Sequence, residues 1–93
     1  MANNNFYYSN NRFDIIINVV NKGLDILRNN TLSPINDVLV QAWQNHAKFM
    51  LKTYANNDIY LEYLNFLVSI VYLPPREQLN QSISKLLELA RRI

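Results

Sequence analysis

The chain has no cysteine, one glycine, one histidine and one tryptophan. Without cysteine there are no disulfides, no thiolate metal ligands and no thiol nucleophile. The lone glycine, Gly23, lies inside a helical pattern, so glycine turns and phosphate-cradling loops are excluded as well. Charge is scarce: 17% of residues are charged, and the net charge of +2 implies neither nucleic acid nor an anionic membrane unless the basic residues gather on one face. A small domain without covalent staples must hold itself by well-matched helix packing or by association.

What is there is apolar and helical in pattern. The 49% apolar and 12% aromatic content is that of a folded domain, and 93 residues fit one. Polarity comes largely from fifteen asparagines, scattered through helical periodicity rather than gathered in a tract. Residues 1–11 lack periodicity and read as a flexible N-terminal arm, with residues 12–93 as a single helical-bundle domain. The polar N-terminus lacks the apolar core of a signal peptide, which points to a cytoplasmic protein.

Four helices are predicted. The first, over residues 12–28, places Phe13, Ile17, Val20, Leu24 and Leu27 on one stripe and Ile16, Val19, Gly23 and Ile26 on a second beside it. Together they span roughly 200°, twice the ~100° a surface helix needs to cover one core. Ser33 followed by Pro34 predicts the start of the second helix, over residues 34–55, again with a wide apolar arc. Asn57 or Asp58 should cap the third, over residues 59–73, whose sequence IYLEYLNFLVSIVYL is broken only by Glu62, Asn65 and Ser69. At 1.5 Å per residue it reaches only about 22 Å, too short to span a membrane, and is expected as the central buried helix. Pro74 and Pro75 separate it from the fourth, over residues 75–92, with Leu79, Ile83, Leu86, Ala90 and Ile93 in an ordinary amphipathic stripe.

The fold class is therefore all-α: a compact antiparallel bundle of four helices, self-associating. Association follows from the width of the apolar arcs, since exposing them would leave a larger patch than a monomer tolerates. The residues expected at that protein interface are Ile16, Val19, Gly23, Ile26, Trp43, Phe49, Tyr60 and Tyr63, with the aromatics as anchors.

No constellation for catalysis is found. His46 falls near the middle of the second helix's apolar arc and reads as a hydrogen-bonded core histidine, without companions at metal-ligand spacing. The carboxylates do not pair on an apolar face, and no serine has a triad. Enzyme activity, cofactor, metal, small-molecule substrate and membrane insertion are all expected to be absent.

The second helix also carries a polar strip of Gln41, Gln44, Asn45, Lys48 and Lys52, a candidate nucleic-acid surface that a twofold dimer would double. In architecture alone, such a dimer resembles the small helical dimers with which nodaviruses shield double-stranded RNA; the proline-split third and fourth helices depart from that pattern. The first expectation is a non-enzymatic helical protein-interaction module, acting as a homodimer or as a small regulatory or accessory factor of the kind viruses and mobile elements encode. The second is a helical dimer that binds double-stranded RNA or other nucleic acid through that strip.

Overall fold

Asparagine sets most of the helix ends. In the computed structural model, which describes residues 11–93, helix α1 (Arg12–Asn29) begins where the Asn11 side chain accepts a hydrogen bond from the Phe13 N–H at 2.9 Å. Helix α2 (Asp37–Tyr54) is capped by Asn36, which accepts from the Val38 N–H at 2.7 Å. Helix α3 (Asn57–Ser69) is capped by Asn56, which accepts from the Ile59 N–H at 3.0 Å. Each cap satisfies an amide that the helix itself leaves unpaired, and is worth about 1 kcal/mol. Helix α4 (Pro75–Ala90) relies instead on a proline at its first position, where no N–H is needed. The expected N-terminal arm lies outside the described residues apart from Asn11, which caps α1.

Several helix boundaries differ from those expected, and the third helix begins at Asn57 with Asn56 as its cap, two residues ahead of the expected start with Asn57 or Asp58 as cap. The second helix starts at Asp37 rather than Pro34, because Ile35 turns inward just before the cap and is buried together with Val40. These are the two positions of a hydrophobic staple, and they fix where the chain can enter the helix. Ser33 stays in the loop, where Arg76 of α4 donates to the carbonyls of Asn30 and Ser33. The third helix stops at Ser69 instead of reaching residue 73. Past it Ile70 is buried, and the Gln78 side-chain amide donates to the carbonyls of Val71 at 3.0 Å and Leu73 at 2.8 Å, holding the turn in place of further helical bonds.

The four helices pack as an all-α bundle with α2 and α4 at its centre, each packed against all three other helices and α4 most extensively against α1, while α1 and α3 do not pack on each other. This corrects the expectation that the third helix is central. Helix α3 buries Ile59, Tyr63 and Leu67 on one side and leaves Leu61 and Val68 exposed on the other. Helix α4 buries Leu79, Ser82, Ile83, Leu86, Leu89 and Ala90, a wider face than its main apolar stripe. It runs antiparallel to its two flanking helices. Arg76 meets Asn30 while Ile83 meets Gly23 on α1, and Gln78 meets Val71 while Arg92 meets Glu62 on the α3 side.

Gly23 explains how α1 finds room for its second stripe. A β-carbon there would stand 2.8 Å from Ile83 Cγ1 and 2.9 Å from Trp43 Cε2, so only glycine lets α2 and α4 approach this closely. The Trp43 indole N–H donates to the Val19 carbonyl at 2.9 Å, which satisfies the buried ring's one polar group. Ile16 and Val19 complete this buried seam. No helix of the described residues is long and apolar enough to cross a membrane.

Candidate functional site

The residue spacing on α2 makes one wall of an open groove. Asp37, Gln41, Gln44 and Lys48 follow at steps of four, three and four, which keeps them on one helical stripe, with Asn45 alongside. Leu64, Leu67, Val68 and Val71 form the facing wall, and Gln78 reaches in from α4. The space between is about 670 Å³. One wall is thus polar and the other apolar. Val68 and Val71 remain 70% and 66% exposed on the rim.

The base of the groove is fixed by a buried polar chain. The Gln44 amide donates to Ser82 Oγ at 2.7 Å, and that hydroxyl donates to the Gln78 carbonyl at 2.6 Å. Ser82 is fully buried, and its own carbonyl accepts from the Tyr63 hydroxyl at 3.3 Å. Burial pushes the Tyr63 phenol well above its ordinary range, so it stays neutral and acts as a donor. The pieces come from α2, α3 and α4, and together they hold the two walls at a set separation.

Four of the five candidate nucleic-acid residues, Gln41, Gln44, Asn45 and Lys48, do lie together in this groove. Their chemistry is less basic than a phosphate track requires. Gln44 is already bonded to Ser82, Asp37 shares the wall, and the Lys52 ammonium sits 5.8 Å from the centre of the Tyr60 ring, outside the groove lining.

The residues expected at a protein interface fare differently. Ile16, Val19, Gly23, Trp43 and Tyr63 are buried inside the chain, and Ile26 and Tyr60 are half-buried against its core. Only Phe49 is largely exposed. The second stripe of α1 is therefore covered by α2 and α4 of the same chain and offers nothing to a partner. Exposed apolar side chains are spread over the surface: Val68 and Val71 on the groove, Val38, Phe49, Leu61 and Tyr72 beyond its lining, Phe13 and Leu24 on α1, and Leu32, the most exposed, in the loop after α1. His46, expected in the core, is half-buried at the surface, and among the described residues it makes no hydrogen bond through its side chain.

Glu62 stands away from the groove and ties α3 to α4. Arg92 donates to both its oxygens, at 2.8 and 2.9 Å, and Lys85 donates to one at 2.9 Å, with Glu88 3.4 Å from Lys85. Hydrogen bonds first from Arg92 and then from Lys85 hold the Glu62 carboxyl down to about 2. A group so fully paired is a structural clasp and a poor acid catalyst at neutral pH. Among the described residues no cluster of side chains suits a metal ion. A smaller cleft of about 350 Å³ between the end of α1 and the start of α4 is lined by Arg28 and Arg76, and the latter's guanidinium is engaged with loop carbonyls.

The groove's polar wall was open to sequence reasoning as an i, i+4, i+7 stripe. Its apolar wall and Ser82 were missed. Val68 and Val71 look like core residues until the helix is known to be peripheral, and Ser82 looks like any surface serine until three helices enclose it. Compared with known proteins, the chain matches no protein-family model, no curated protein and no solved structure.

Proposed function

We propose that this chain is a non-enzymatic protein-interaction module whose docking surface is the α2–α3 groove. The observation that carries the reading is an apolar rim, Val68 and Val71, left standing in solvent beside an open cleft whose base is rigidly hydrogen-bonded. Contiguous apolar surface beside a cleft is a common mark of a docking site, and a prearranged cleft lowers the ordering cost of a docked helix or loop. The absence of paired carboxylates or a partnered nucleophile in the groove speaks for binding over chemistry.

The test is site-specific photocrosslinking in cells that make the protein. A photoreactive residue at position 68 should give discrete adducts that Val71→Glu abolishes, and the same residue at Lys22, exposed on α1, should give none. Equal yields from both positions, or none from either, would refute the reading.

Nucleic-acid binding through the same wall is the second reading, favoured by the contiguity of Gln41, Asn45 and Lys48 in the groove. A binder of that kind loses affinity steeply with added salt. A gel shift at low salt that disappears in Lys48→Ala would promote it over protein docking.

A further inference from the structure

We propose that the occupant of the groove is a second copy of this chain, with α2 packed antiparallel on α2 about a twofold axis that crosses the helix between Ala42 and Trp43. The inference rests on reading the α2–α3 face as a docking surface and names what docks there.

The α2 stripe is self-complementary in its charges. In an antiparallel pair related by that axis, position 37 faces position 48 and position 41 faces position 44. The stripe holds Asp37 at one end, Lys48 at the other, and Gln41 and Gln44 between them. The end pairings are then complementary, carboxylate against ammonium, and inside them the Gln41 amide faces a Gln44 side chain whose amide nitrogen is already given to Ser82. The ends are about 16 Å apart at 1.5 Å per residue, so the two ion pairs lie at opposite edges and set the register. A twofold interface requires one surface to complement itself, and a stripe with opposite charges at equal distances from its centre does so. Among the described residues neither Asp37 nor Lys48 has an ion-pair partner within the chain, whereas Glu62, Lys85, Glu88 and Arg92 all do. Other charges, Asp14, Lys22 and Asp58 among them, are also without an ion pair, but Asp37 and Lys48 are the two of opposite sign that line the open groove.

The same arrangement covers the apolar wall. With the second copy's α2 lying along the mouth of the groove, Leu64, Val68 and Val71 meet its flank, and the symmetry repeats this on the other side. Nucleic acid is a worse fit, because Asp37 would face phosphate.

The test is charge reversal followed by sedimentation equilibrium. Wild-type protein should dimerise. Asp37→Lys and Lys48→Asp should each raise the dimer dissociation constant by roughly tenfold, because a single reversal sets like charges together at both symmetry-related ends. The double variant Asp37→Lys with Lys48→Asp should return it close to the wild-type value. Asp37 also stands at the first turn of α2, where an acid favours the helix dipole, and the double variant keeps that loss. Recovery of the dimer therefore cannot come from recovered folding. A dimer weakened by Val68→Glu but indifferent to the charge reversals would overturn the antiparallel pairing and leave the docking surface intact. A dimer indifferent to all of them would overturn the second copy as the occupant of the groove. A wild-type chain that stays monomeric at its highest soluble concentration would overturn the second copy as occupant, while the crosslinking at position 68 separately decides the docking surface.

Discussion

Helices α3 and α4 reverse the places their compositions suggest. α3 is apolar nearly all round and sits at the edge of the bundle; α4 carries Arg76, Glu77, Gln78, Gln81, Lys85 and Glu88, and sits in the middle. The difference teaches that a central helix needs several faces its neighbours can approach, and high apolar content does not guarantee them. α4 has such faces because Ser82 and Ala90 are small, Ile83 fits against Gly23, and Leu86 and Leu89 fill the remaining space. α3 has bulky residues on every side and packs only on α2 and α4, so Leu61 and Val68 remain outside.

Substitutions can break or sharpen this contrast. The largest effect should come from Leu86→Ala on α4, fully buried, at about 2–5 kcal/mol in urea unfolding. An equal cost for Leu61→Ala on α3 would invert the comparison, since that side chain is 45% exposed.

Gly23→Ala should come next. Alanine gains roughly 1 kcal/mol in helix propensity, yet the new methyl meets the indole ring and Ile83, and overpacking of that kind costs about 1–3 kcal/mol. A net loss in thermal stability is expected, and Gly23→Ala with Ile83→Val should recover part of it if the α1–α4 contact is the cause.

The acid response should be smaller and should belong to the seam between the two helices. Glu62 is held down from 4.5 to about 2, so the stability it adds is whole above pH 4.5 and is lost as pH falls toward 2. The melting temperature of the wild type should therefore fall more steeply across that interval than that of Glu62→Gln. Parallel curves would mean that the Arg92 and Lys85 contacts contribute nothing to holding α3 on α4. Smallest of all, Val68→Ser on the rim should alter the monomer's unfolding free energy by no more than about 0.5 kcal/mol.

Much of this fold could be read from the residues because its punctuation is chemical and local. Pro74 and Pro75 divide α3 from α4, and asparagine ends each earlier helix, so four helices were legible with the right order. Ser33 and Pro34 made a sound local start signal that lost to Asn36, since burying Ile35 and Val40 is a tertiary gain that no cap rule contains. The second stripe of α1 was legible as a surplus of apolar surface, but its destination was not. Winding one helix gives the width of an arc; it does not say whether one or two neighbours cover it. Gly23 was the clue to close approach, and the neighbours proved to be Trp43 and Ile83 of the same chain. The groove was half legible: its polar stripe is periodic in sequence, whereas the facing ridge emerges only when α3 is placed at the periphery.

Trp43 has a use beyond packing. It is the chain's one tryptophan, 5% exposed, with its ring against Gly23 and its N–H tied to the Val19 carbonyl. Its emission is therefore an optical gauge of whether α1 is seated.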